Sequence, residues 1–200
     1  MKKKPLILIP LLIVVFATGC LVRSLNPLYT EKDVIFDPAL IGVWEPDNDN
    51  KEKWEFQKGE GKSYKLIHTD ERTNRAIFEV HLVKLRNRKF LDILVVSFED
   101  DSGKDIGEKL NNFGLFHIWP VHTFMRVDSI GDELKLRLFN LEWLLEKLQQ
   151  NPKAIKHLHF GNESDENILL TASTYDLQHF ILKNVETDAF KYEIVLKRKK

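Results

Sequence analysis

The chain of 200 residues has one cysteine, Cys20. That excludes an intramolecular disulfide and any metal site built from several thiolates. Nine glycines and seven prolines are too few for a fibrous or low-complexity protein, and no segment recurs at a fixed period. There is no net charge, with 30 basic residues against 30 acidic ones. The aromatic residues have no basic stripe beside them, so nothing points to nucleic acid. A P-loop, a glycine-rich dinucleotide fingerprint, a serine on a nucleophile elbow and an H-E-x-x-H helix are all missing. The spacing of Asp100, Asp101 and Asp105 does not match a calcium-binding EF-hand loop, and a solvated acidic loop is expected there. What is present is an ordinary globular composition, 43% hydrophobic and 30% charged. Thirteen Phe and four Trp supply bulk for the core of a single domain.

The N-terminus stands apart from this average. Lys2, Lys3 and Lys4 precede a run from Pro5 to Ala17 that is almost wholly apolar, followed by the small residues Thr18 and Gly19. A basic start, a short apolar stretch and a small-residue exit are the layout of a secretory signal. The run is shorter than the roughly 18 to 20 residues that a spanning helix needs. Ala17-Thr18-Gly19-Cys20 resembles the bacterial lipobox. The resemblance implies cleavage between Gly19 and Cys20, a diacylglycerol on the Cys20 sulfur, and a fatty acyl group such as palmitate on its new amine. It also implies a bilayer as partner and the cell envelope as location. Leu21 stands where an Asp would resemble an inner-membrane retention signal, which suggests the periplasmic face of an outer membrane where the organism has one. Loss of Lys2, Lys3 and Lys4 would leave 27 basic residues against 30 acidic ones. The closing Lys197-Arg198-Lys199-Lys200 reads as a solvated, frayed basic terminus or, more sharply, as a contact for anionic lipid headgroups.

The chain therefore divides into a signal peptide at 1–19, a lipidated cysteine and tether at 20–38, and one β-rich domain at 39–200. The tether is not a glycine/serine linker. It carries Leu25, Leu28, Tyr29, Val34, Ile35 and Phe36, which are expected to dock on the domain surface. Period-2 alternation then marks strands at Trp54–Phe56 and Tyr64–His68. A long hairpin, 75–85 with 89–98, is predicted around Asn87-Arg88, pairing Val83 with Asp92. One of its faces (Ala76, Phe78, Val80, Leu82, Leu91, Ile93, Val95) is wholly apolar and should be core. The other (Ile77, Glu79, His81, Val83, Phe90, Asp92, Leu94, Val96) is mixed, so something should cover part of it. A long polar loop over 99–112 and a strand over 116–127 follow. A turn at 128–132 then precedes the half-solvated strand of Leu134, Leu136 and Leu138. Asn140 is placed to cap a helix carrying Leu141, Leu144, Leu145 and Leu148, ended by Asn151-Pro152. Ser173 or Thr174 opens a second, with Leu177, Phe180, Ile181 and Val185 on one stripe. Short strands at 167–172 and 192–196 complete the pattern.

The fold class is α+β, a β-dominated antiparallel meander forming a barrel or strongly curved sheet, with two amphipathic helices near the C-terminus. Gly42-Val43-Trp44, just before the meander, resembles the Gly-x-Trp motif of lipocalins. That resemblance implies a barrel with an apolar or amphipathic ligand inside it, and a late arginine packed on the tryptophan, for which Arg198 is the candidate. The ligand-lining residues would be Phe78, Val80, Leu82, Leu91, Ile93 and Val95.

Two constellations carry a chemical alternative. His157 and His159, two apart, would share one side of a strand, whereas His117 and His122, five apart, would face opposite ways. No metal and no other cofactor is assigned to either pair. Asp92 interrupts an apolar strand, and the expected register puts His81 diagonally near it. A carboxylate–imidazole pair can do acid–base chemistry or simply satisfy itself in a buried place. The reading that follows is a non-enzymatic envelope lipoprotein with a ligand-binding barrel. The alternatives are an envelope protein-interaction module without a cavity, and a hydrolase using His81 and Asp92.

Overall fold

The computed structural model describes residues 21–47, 51–100, 102–105, 120–160 and 167–199. Eight strands close an antiparallel barrel. They are β3 (Gly42–Pro46), β4 (Lys53–Lys58), β5 (Ser63–Thr69), β6 (Arg75–Leu85), β7 (Arg88–Glu99), β8 (His122–Ile130), β9 (Glu133–Leu138) and β12 (Glu193–Arg198). Each pairs with the next, and β12 closes the ring by pairing with both β9 and β3. Between β9 and β12 the chain leaves the barrel for the two expected helices, α1 (Leu141–Gln150) and α2 (Thr174–Asn184). Two short strands, β10 (His157–Phe160) and β11 (Asn167–Leu170), lie between them.

The alternation that predicts the strands also builds the inner core. Trp44, Phe56, Tyr64, Leu66, Leu82 and Leu91 all point inward and are fully buried. An eight-stranded barrel is about wide enough for side chains to fill. A short 3-10 turn, Pro38–Leu40, precedes β3 and puts Leu40 into this core, with Asp37 capping it through the Ala39 N–H. The buried Tyr64 hydroxyl bonds both the N–H (2.6 Å) and the carbonyl (3.1 Å) of Asp37.

A second core lies outside the barrel. Val83, Leu85, Phe90 and Phe124 face outward from β6, β7 and β8 and are covered by Leu144, Leu177, Phe180 and Ile181 of the helices. The mixed hairpin face is thus partly covered, as the pattern required. Asn140 caps α1 by accepting from the Glu142 and Trp143 N–H groups. Ser173 caps α2 by accepting from Asp176.

Residues 21–38 do more than lie on the surface. β1 (Arg23–Ser24) inserts between β8 and β11, and β2 (Val34–Ile35) pairs with β6. Val22, Ser24 and Leu28 are at most 2% exposed.

The hairpin register differs from the expected one. Leu85 pairs with Arg88 across an Arg86-Asn87 turn, so Val83 meets Phe90 and His81 stands directly opposite Asp92. A two-residue shift leaves every side chain on its own face, so alternation could not separate the two registers. The turn decides, and Arg86 rather than Asn87 takes the left-handed conformation (φ 54°). A bulge beside Ile77/Phe78 then displaces the far end of the pair. β8 also runs on to Ile130, past the expected turn at Asp128. Of the expected strand over 116–127, residues 116–119 lie outside the described residues. So do 106–112 of the expected loop.

Candidate functional site

Asp92 lies on the outer face of β7 and is 1% exposed. A carboxylate withdrawn from water needs both oxygens occupied. Oδ2 accepts the Leu28 N–H at 2.7 Å, where residues 21–38 cross the barrel. Oδ1 lies 2.6 Å from Nδ1 of His122, a diagonal neighbour on β8. A carboxylate can only accept, so this contact is a hydrogen bond in the tautomer that carries a proton on Nδ1 of His122.

His81 takes a different role. It stands across β6–β7 from Asp92, but its ring stacks on Tyr29 with centroids 4.3 Å apart. Its Nε2 lies 3.7 Å from Glu79 Oε1. Burial pushes the His81 pKa down, against the pull of the Glu79 and Asp92 carboxylates. Burial, then the same two carboxylates in the order Asp92 and Glu79, push the Tyr29 hydroxyl up to about 12. The sequence therefore locates the acid, and the structure supplies another imidazole. His122 was visible only as a poor partner for His117, which lies outside the described residues. Placing β8 beside β7 is what finds it.

An Asp–His pair orients an imidazole, yet acid–base catalysis also needs a reacting group within its reach. Ser24 brings a hydroxyl across β1–β8 from His122. It is spent locally, donating to the Asn26 carbonyl at 2.8 Å and accepting the Asn26 N–H at 3.2 Å. The cluster is a satisfied clamp holding residues 26–29 to the barrel.

The ligand-lining candidates divide in two. Val80, Leu82, Leu91 and Ile93 are at most 5% exposed and packed among the inner aromatic side chains. Phe78 and Val95 pair at a half-buried level nearer the β5–β6 end, beyond which Phe98 is 49% exposed. At Trp44 the geometry is specific. The Arg198 guanidinium sits 4.1 Å from the ring centroid, Nη1 donates to the Ile41 carbonyl at 2.9 Å, and Nη2 donates to Ala39. A side chain at Gly42 would collide with it, since a Cβ there would lie 2.6 Å from Arg198 Nη1. Gly42 also holds φ at 139°, which favours glycine.

His157 and His159 do share one side of β10, with Nε2 atoms 3.2 Å apart. His157 Nδ1 donates to the Ile155 carbonyl at 2.8 Å. Among the described residues no three His, Cys, Asp or Glu side chains gather into a metal-binding group. Asp100 organises a turn, accepting from the N–H groups of Ser102 and Lys104, while Asp101 is outside the described residues. Gly19 and Cys20 are also outside them, but Leu21 bridges to Asn140 at the start of α1. Among the described residues no helix is long and apolar enough to cross a membrane. Comparison with protein-family models, with curated proteins and with solved structures finds no match to this chain.

Proposed function

We propose that the chain is a lipid-anchored lipoprotein of the bacterial envelope that works by binding rather than by catalysis. The observation that carries this reading is the closeness of the folded body to Cys20. Leu21 is already bridged to Asn140, and Val22 is already core. Two or three acyl chains on Cys20 would hold the barrel against the bilayer persistently, since a buried methylene contributes about 0.8 kcal/mol and a single chain holds only marginally. The barrel with its packed helices is then a rigid scaffold whose outer surface is presented to envelope partners. Feeding cells an alkyne-bearing palmitate tests the anchor. The wild-type chain should take up label and a Cys20→Ser chain should not; labelling of both, or of neither, contradicts it.

A second reading is favoured by the Trp44–Arg198 stack and the half-open level of Phe78, Val95 and Phe98. In it, an apolar or amphipathic ligand enters the β5–β6 end of the barrel. Native mass spectrometry of the protein mixed with extracted envelope lipids distinguishes the two. A stoichiometric adduct lost in Phe78→Asp supports the second reading, and its absence leaves the scaffold reading alone.

A further inference from the structure

Many cations elsewhere on the described surface sit in ion pairs. Arg75 meets Glu99, Lys89 meets Asp37, Arg137 meets Asp128 and Glu193, Lys135 meets Glu133, and Lys197 meets Asp47. A cleft of about 810 Å³ between α1 and α2 gathers five that do not. Arg86, Lys147, Lys153, Lys156 and Lys183 line it against one carboxylate, Asp176. None of these five cations forms an ion pair among the described residues. Asp176 is itself engaged, accepting the Ser173 hydroxyl at 2.7 Å beside the α2 cap.

The cations come from three separate stretches of chain. Lys147 and Lys183 sit in the last turns of α1 and α2, where the helix dipole favours a positive charge. The dipole does not explain the other three. Lys153 and Lys156 belong to the connection after α1, where Asn151 Oδ1 accepts the Lys153 N–H at 3.1 Å. Arg86 comes from the β6–β7 turn, at a left-handed position where asparagine or glycine would be less strained. Bringing like charges together from distant segments opposes folding, and a walled cleft focuses the resulting field on whatever enters. The lining is not uniformly polar. Ile155 and Phe180 are buried there beside Ala154 and Leu182. The volume lies within the roughly 300 to 1,000 Å³ usual for small-molecule sites.

We propose that this cleft binds a phosphate-bearing ligand, its anionic group held by Lys153, Lys156, Lys183 and Arg86 and any apolar part resting on Ile155 and Phe180. The site is independent of the anchor at Cys20 and of the barrel interior. The phosphate can come from a lipid headgroup or from a free phosphate compound. Both sources can be tested by calorimetric titration of the full chain in nonionic detergent. One arm uses inorganic pyrophosphate and the other a short-chain, water-soluble phosphatidate. Saturable binding tighter than about 1 mM in either arm is expected, and the arm that binds names the source. A triple variant, K153Q/K156Q/K183Q, should weaken binding about tenfold or more, the scale of one charge-assisted hydrogen bond to phosphate. These side chains are exposed, and an unchanged thermal melt checks that the fold survives. A control, K135Q/K197Q, removes two cations that are paired elsewhere on the barrel. It should leave binding unchanged. No saturable binding in either arm, or equal loss in the control and the triple variant, overturns the proposal.

Discussion

The inside and the covered flank of the barrel are both cores, but they are held together differently. Inside, the contacts are almost entirely apolar, with Trp44, Phe56, Leu66 and Leu82 interdigitating and the few polar atoms satisfied next door; the Trp44 indole, for example, donates to the Leu40 carbonyl. On the flank, apolar packing is laced with polar bonds between distant parts of the chain. Asp92 holds Leu28, Gln178 donates to the Leu28 carbonyl and to Asp33, Thr174 donates to Pro27, and Asn26 donates to Ala172. The inside follows from strand alternation and closure alone. The flank has to specify where residues 21–38 lie, and directional bonds supply the specificity that packing lacks.

The largest effects should be equal on the two sides. Trp44→Ala and Phe90→Ala each empty a fully buried aromatic site, and each should cost about 3–5 kcal/mol in urea unfolding. If Phe90→Ala proved nearly neutral, the flank would be a loose covering and not a core. Next comes Asp92→Ala, which leaves the Leu28 N–H and His122 without their acceptor and should cost about 3 kcal/mol. His122→Gln should cost less. A double-mutant cycle on the pair should show coupling, and additivity would mean that the 2.6 Å contact carries no stability.

These two regions also differ in how far the sequence exposes them. Period-2 runs make the inner face of the hairpin readable, and Val80, Leu82, Leu91 and Ile93 are where alternation puts them. The helices are readable from their stripes and from Asn140 and Ser173. Closure by β12 onto β3 is not, because pairing between residues about 150 apart leaves no local trace. β1 and β2 are too short for any periodicity, at two residues each. The Asp92 partnership is half readable. Its burial shows in the apolar run around it, whereas its partner depends on which strand lies beside β7. The basic cleft is invisible, since its five cations belong to segments that only the fold brings together.

Smaller perturbations sharpen the contrast. Gln178→Ala removes two hydrogen bonds to residues 28 and 33 and should cost about 1 kcal/mol. Its mark should be faster amide exchange at residues 28–35 with the inner strands unchanged; uniform acceleration would mean that the flank does not open separately. The smallest effect is electrostatic. Folded His81 resists protonation because it is buried, so the unfolded chain binds more protons as pH falls through about 6.5. Its contribution to stability is full above that pH and is lost progressively below it. His81→Gln should flatten the decline in urea midpoint between about pH 7.5 and about pH 5.5, and an unchanged slope would remove His81 from the account.

The central proposal is that Cys20 begins the working protein and ties the barrel to a membrane. Mass spectrometry of the mature N-terminus tests it most directly. The account predicts an N-terminal peptide that starts at Cys20 and carries two or three acyl chains. An intact Met1, or a Cys20 with a free thiol, would contradict it.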